Sequence, residues 1–126
     1  MITFHEIASQ ITNHSPNYFL EIVITKHLQD LTDYFIFSSE KIKQQFYQTL
    51  EFLADDGIWT QEELQEYTFI AQTIDNDYVL ATDSKTLVIP YSCFKSDSEN
   101  FDLTIAAFFS SVEQGTLNSN IIAKID

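Results

Sequence analysis

Arginine is absent from this chain of 126 residues, and six lysines face nineteen aspartates and glutamates, for a formal net charge of −13. Nucleic-acid binding depends on Lys and Arg to neutralise phosphates and on Arg to read bases, so we expect no nucleic-acid partner. The same repulsion disfavours an anionic membrane surface. A negative field favours a basic protein partner. The alternative is that the charge only keeps the protein soluble.

Cysteine, glycine and long apolar runs are scarce as well. The single cysteine, Cys93, allows neither a disulfide within the chain nor a zinc-binding Cys/His cluster. The two glycines, Gly57 and Gly115, are too few for a glycine-rich phosphate loop. No apolar run approaches the ~20 residues of a membrane span, and the first residues lack the features of a secretory signal. We therefore expect one globular domain over residues 1–126, in the cytoplasm.

Apolar residues in the first half of the chain recur with the spacing of amphipathic helices. One helix is predicted to begin at the capping residue Thr3, and a second at Ser15–Pro16. Residues 33–37 have the length and aromatic content of a strand or an extended link. A third helix is predicted after Ser38–Ser39, with an apolar stripe that includes Phe46 and Leu50, ending at Gly57.

The stretch 67–109 predicts a β-meander closed by a helix. Strands are predicted at 68–74, 78–82 and 86–91, separated by acidic turns at 75–77 and 83–85. Turns this short leave no room for a crossover, so the three strands must be antiparallel. Asp102 to Thr104 open the closing helix, which Gly115 ends, and 116–126 are expected to hold a loop and a short helix. The predicted fold class is α+β, with N-terminal helices packed on the meander.

No group of residues in the sequence forms a catalytic or metal-binding pattern. The three histidines are scattered, and an EF-hand reading of the Asp75 turn fails because Leu80 and Thr86 stand where glycine and glutamate are needed. Cys93 lacks an electropositive setting, and no serine lies in a glycine-flanked elbow. We expect a protein without enzymatic activity, cofactor or metal.

Acidic residues are instead the candidate functional groups. We predict a composite acidic face that binds a basic protein, formed by the loop before the sheet and by the two hairpin turns. The candidate residues are Asp55, Asp56, Glu62, Glu63, Glu66, Asp75, Asp77 and Asp83. A further acidic group, Asp97, Glu99 and Asp102, leads into the last helix. The alternative is a solvated surface in which some carboxylates, such as Asp102, only complement helix dipoles.

Five segments resemble the SUKH superfamily, which includes a yeast regulator of killer-toxin resistance and glucan synthesis and many bacterial immunity proteins. They are the aromatic run 34–38, the hairpin segments 69–71 and 75–80, the strand 86–90 and the helix 104–109. Ala71 stands where the family often has glycine, and a glycine-rich segment of the family is missing. The binding surfaces of the family differ between members, so the candidate acidic residues come from charge alone.

The resemblance implies an α+β fold and a non-enzymatic protein that neutralises a toxin, often a nuclease. A nuclease must be basic to bind phosphate, so an inhibitor of charge −13 fits it physically. Two alternatives remain open from the sequence. One is a regulatory or scaffold module with a partner unrelated to toxins, and the other is an acidic mimic of DNA.

Overall fold

Five strands form one antiparallel sheet in the computed structural model, which describes residues 15–25, 35–37, 40–53, 55 and 57–122. The helix predicted to begin at Thr3, the Ser38–Ser39 cap and Asp56 lie outside these residues. The strands are β1 (Phe35–Phe37), β2 (Thr68–Thr73), β3 (Tyr78–Ala81), β4 (Thr86–Ile89) and β5 (Glu99–Phe101). Each strand pairs with the next one along the chain, so the predicted meander is confirmed and extended by one strand on either side.

Three α-helices within the described residues accompany the sheet: α1 (Pro16–Thr25), α2 (Glu40–Leu53) and α3 (Ile105–Gln114). Pro16 opens α1, where its missing N–H costs nothing. The Thr104 hydroxyl caps α3 by accepting a hydrogen bond from the Ala107 N–H at 3.3 Å. Gly115 ends α3 at φ 70°, a left-handed conformation that glycine adopts without steric cost. These helices confirm the predicted α+β fold.

The helices lie on both faces of the sheet. One apolar cluster joins α1 and α3 to the sheet through Phe19, Val79, Val88 and Phe109. The other cluster joins α2 and the segment 58–67 to the sheet, and it includes Phe46, Leu50, Leu64, Leu80 and Leu87. Neighbouring residues of β3 and β4 therefore belong to opposite clusters, as the pleat of a strand requires.

Burial on both faces explains why β3 and β4 are apolar without interruption. All four residues of each strand are buried, including Thr86, whose hydroxyl donates to the Leu103 carbonyl at 3.0 Å. In β2 the register shifts between Phe69 and Ala71. This bulge turns both Ile70 and Ala71 toward the cluster of α1 and α3.

Residues 116–122 follow α3 without helical structure, and residues 123–126, the rest of the stretch predicted to hold a loop and a short helix, lie outside the described residues. Leu117 and Ile122 pack into the cluster of α1 and α3. The Glu99 carboxylate of β5 accepts hydrogen bonds from the Ser119 hydroxyl and, at 2.8 Å, from the Asn120 N–H. Glu99 therefore ties the end of the described chain to the edge of the sheet.

Candidate functional site

The two acidic hairpin turns lie at opposite ends of the sheet, because β3 runs from the first turn to the second. Four residues of β3 separate them by about 14 Å at the usual rise of a strand. That distance exceeds the Debye length of about 8 Å at physiological ionic strength. The acidic turns thus form two regions, one containing Asp75 and Asp77 and the other containing Asp83, and a composite face that spans both stays a prediction.

The first turn, 74–77, directs one of its two carboxylates into the protein. The Asp77 side chain is only 8% exposed. One of its oxygens accepts from the Tyr91 N–H at 3.1 Å, and the other accepts from the Thr73 hydroxyl at 3.3 Å. The Thr73 hydroxyl in turn accepts from the N–H groups of Asp75 and Asp77, at 3.2 and 3.0 Å. Asp77 thus joins the turn to the segment that follows β4.

Burial raises the pKa of Asp77 despite the hydrogen bonds from Tyr91 and Thr73, which favour the charged form. A partner's cation cannot reach a carboxylate that is enclosed in this way. Asp77 is therefore a structural residue, and its place in the predicted partner-binding set is corrected. Asp75, two residues earlier, is exposed.

The second turn, 82–85, keeps its acidic residue in solvent. The Thr82 hydroxyl accepts from the N–H groups of Ser84 and Lys85, at 3.3 and 3.1 Å, and Asp83 between them is exposed. Asp83, Lys85, Glu66 and Tyr67 line an open cleft of about 450 Å³. The structure thus brings Glu66 and Asp83 together, but it places a lysine beside them.

Glu63 is engaged within the protein as well. It forms a capping box with Thr60, since each side chain accepts the other's N–H at 3.1 Å. It also forms an ion pair of 2.6 Å with Lys95, which holds the pKa of Glu63 below its usual value. The Lys95 ammonium lies 5.8 Å from the centre of the Trp59 ring. These contacts fasten the segment before β2 to the connection between β4 and β5.

The remaining candidates in that segment are Asp55 and Glu62, which are exposed, and Asp56, which lies outside the described residues. Six predicted residues are therefore exposed, one of which, Glu63, is already paired with Lys95: Asp55, Glu62, Glu63, Glu66, Asp75 and Asp83. The acids used internally, Asp77 and Glu63, have no distinguishing mark in the sequence. Their roles depend on chain segments that only the fold brings near.

Sequence reasoning missed two exposed aromatic residues between β4 and β5. The Tyr91 side chain is 69% exposed and the Phe94 side chain 43% exposed. Both follow Pro90, which ends β4, so an aromatic residue directly after a strand end was the available signal. Phe94 forms an isolated β-bridge with Ile58, which fixes it beside the segment before β2.

Cys93, between these aromatic residues, is buried and has a positive φ of 64°. Burial raises the pKa of its thiol to about 11, so the thiolate that a nucleophile needs is almost absent at neutral pH. A second open cleft of about 450 Å³ lies between α2 and the sheet. Tyr78 is the only titratable side chain among those that line it, and burial raises its pKa.

Within the described part of the chain, no three His, Cys, Asp or Glu residues converge as metal ligands would. None of the helices in that part is both long and apolar enough to cross a membrane. Comparisons of the chain with models of protein families, with curated proteins and with solved structures find no match.

Proposed function

We propose that this protein is a non-enzymatic, cytoplasmic binding protein that neutralises a basic toxin domain, of the nuclease type, by covering its active surface. The resemblance to the immunity branch of the SUKH superfamily supports the toxin as partner. The physical support is independent of that resemblance, and it lies in charge.

The observation that carries the proposal is the net charge of −13 on a chain without arginine. Of the four described lysines, Lys95 is paired with Glu63, while Lys41, Lys43 and Lys85 lie in α2 and the second turn. Exposed carboxylates occur at both ends of the sheet. Complementary potentials of this kind speed encounter with a basic surface and repel acidic competitors.

A DNA mimic fits the described surface less well. Such a mimic needs carboxylates spaced like phosphates along one elongated face. Here the two hairpin turns stand about 14 Å apart across β3, and Asp77 is buried. The carboxylates between the ends of the sheet are thus too few for a continuous row on the meander.

Co-expression tests the proposal. The probe is the basic toxin domain encoded beside this gene or, where the neighbouring gene encodes none, a panel of basic nuclease toxin domains. We expect the chain to restore growth against one toxin and to form a complex with it whose Kd rises steeply with salt. Failure of both protection and complex formation across the panel would contradict the proposal.

A matched variant separates specific binding from bulk charge. Lys41→Gln and Lys43→Gln together make the protein more negative without touching either end of the sheet. If bulk charge alone mattered, this variant would bind the toxin more tightly than the wild type. If a defined surface matters, the affinity changes little.

A further inference from the structure

The second open cleft, between α2 and the sheet, contains a tyrosine hydroxyl without a partner among the described residues. Tyr78 is only 8% exposed, and its ring centre lies 4.5 Å from that of Phe46. Every fully buried polar side-chain atom of the described residues has a hydrogen-bond partner, whereas none of these residues pairs with the Tyr78 hydroxyl. The hydroxyl therefore reaches solvent, and it does so through the cleft that Tyr78 lines.

The cleft lies beside an open end of the sheet. The register places Ile36 of β1 opposite Gln72 of β2, and Gln72 opposite Tyr78 of β3. Directly opposite residues of antiparallel strands point to the same face. Ile36, the outermost residue of this row, is 47% exposed. A partner can therefore approach the cleft from the edge of the sheet.

Among the described residues, the side chains that line this cleft are uncharged. Those of α2 follow one another at the spacing of helical turns, and the others come from the neighbouring strands β2 and β3. The set, which we call the Tyr78 cleft, consists of Ile42, Gln45, Gln48, Thr49, Phe52, Gln72 and Tyr78. Its polar groups are amides and hydroxyls, and its apolar groups include Phe52, which is 89% exposed.

The polar groups of the Tyr78 cleft can still bind a ligand. The Gln72 amide donates to the Asn76 side-chain oxygen at 2.8 Å, which leaves the Gln72 oxygen as an acceptor. Gln45 and Gln48 are exposed, and each amide offers donors and an acceptor. Burial raises the pKa of Tyr78, so its hydroxyl keeps its proton at neutral pH and can donate. The cleft therefore suits a ligand that carries donors and acceptors together.

We propose that the Tyr78 cleft binds an uncharged peptide segment of the basic partner. An amide of that segment, from its main chain or from an asparagine or glutamine, pairs with Tyr78 and the glutamines, while an apolar side chain covers Ile42 and Phe52. A carboxylate would be repelled by the net charge of −13, and a cationic side chain would find no carboxylate in the described lining of the cleft. The inference rests on the proposed function for the identity of the partner, but not for the chemistry of the cleft.

The first experiment tests the cleft without the toxin. A capped tetrapeptide of glycine, asparagine, leucine and glycine is titrated at millimolar concentration into the ¹⁵N-labelled protein. The controls are the same peptide with aspartate in place of asparagine, and the neutral sugar maltotriose. We expect the largest shifts with the asparagine peptide, at the side-chain amides of Gln45, Gln48 and Gln72 and at the Tyr78 N–H. The absence of these shifts, or equal or larger shifts with either control, would overturn the assignment.

The second experiment compares two tyrosines that pack on the same phenylalanine. Tyr78 and Tyr47 lie 4.5 and 5.2 Å from Phe46, but Tyr47 lines another cleft, with Lys43 and Glu51. We expect Tyr78→Phe to raise Kd for the toxin domain about threefold to tenfold, as loss of one uncharged hydrogen bond does. The ratio of the variant's Kd to that of the wild type should stay constant as salt increases, because no charge is removed. Tyr47→Phe, the same chemical change, should leave Kd unchanged, and equal effects of the two variants would contradict the proposal.

Urea unfolding separates a role in binding from a role in folding. The Tyr78 hydroxyl has no partner within the described chain, so Tyr78→Phe should unfold at the urea concentration of the wild type or above it. A lower midpoint together with weaker binding would show that the hydroxyl supports the fold, and its assignment to the ligand would then be wrong.

The two proposals fail in different ways. If the wild type binds the toxin and Tyr78→Phe binds it equally well, the assignment of the cleft is wrong and the proposed function stands. If the asparagine peptide shifts the Tyr78 cleft but no toxin is bound, the proposed function is wrong and the site for an uncharged peptide stands.

Discussion

The two hairpin turns of the sheet use the same device with opposite results. In both, a threonine at the end of a strand accepts hydrogen bonds from N–H groups in the turn: Thr73 before β3 and Thr82 before β4. In the first turn the acidic residue Asp77 is buried and holds the segment after β4. In the second turn the acidic residue Asp83 faces solvent beside Lys85.

The difference shows that an acidic turn does not reveal which carboxylates a partner can reach. In both turns a threonine hydroxyl accepts hydrogen bonds from the N–H groups of the turn itself. Among the described residues, the connection between β4 and β5 covers the first turn, whereas Asp83 to Lys85 of the second turn are exposed. A carboxylate under that connection gains a backbone donor and loses its access to solvent, which converts a candidate binding residue into a structural one.

The largest expected difference in the free energy of unfolding is between substitutions of Asp77 and of Asp83. Asp77→Ala leaves the Tyr91 N–H without a partner and removes an acceptor for Thr73, so we expect it to lower the free energy of unfolding by about 2–3 kcal/mol. Asp83→Ala, in solvent, should change it by less than about 0.5 kcal/mol. Urea unfolding at pH 7 measures both. Equal effects would show that Asp77 does not join the two segments.

The two threonines give a smaller contrast. Thr73→Val keeps the branched shape but leaves two turn N–H groups without their acceptor in a buried setting, and we expect a loss of about 1–2 kcal/mol. Thr82→Val removes the same device where water can replace the hydroxyl, so the loss should stay near 0.5 kcal/mol or below. Thermal and urea unfolding of the pair measure the difference. A larger loss at Thr82 would contradict the burial of the first turn.

The smallest effect is a dependence on pH. The raised pKa of Asp77 means that the native state binds this proton more tightly than the unfolded chain. The stability contributed by the protonated form is therefore lost as pH rises from the ordinary value of 3.8 through the raised value.

Asp77→Asn isolates this dependence, since an amide can still accept from Tyr91 and has no charge to bury. We expect the stability of the wild type, relative to Asp77→Asn, to fall as pH rises above the ordinary value of 3.8. The titration of the other carboxylates is common to both proteins, so it cancels in the difference between their stabilities. A relative stability that rises with pH would mean that the hydrogen bonds to Asp77 outweigh its desolvation.

Much of the fold followed from local signals. The turns around Asp75 and Asp83 fixed three antiparallel strands, and Pro16, Thr104 and Gly115 fixed helix ends. The fifth strand was missed because Glu99 and Asn100 do not look like a strand, and they form one only where β4 offers an unpaired edge. The two helical layers were missed as well, although the uninterrupted apolar residues of β3 and β4 are typical of a sheet buried on both faces.

The candidate site was less predictable than the fold. Charge and composition indicated an acidic protein suited to a basic partner. The candidate carboxylates were also predicted from the sequence. The predicted meander already implied that its two turns lie at opposite ends of the sheet, but not that the segment after β4 encloses Asp77. The sequence also gave no reason to single out Tyr91, whose exposure depends on the connection after β4.

By itself, the sequence determined the net charge, the lack of arginine and the places where helices and turns begin, because these depend on composition and on neighbours within a few residues. The tertiary structure alone decided that Asp77 is enclosed, that Glu63 is paired with Lys95, and that Tyr91 and Phe94 are exposed. Burial and pairing are set by residues distant in the chain. The accessible part of the acidic surface is therefore a property of the folded protein.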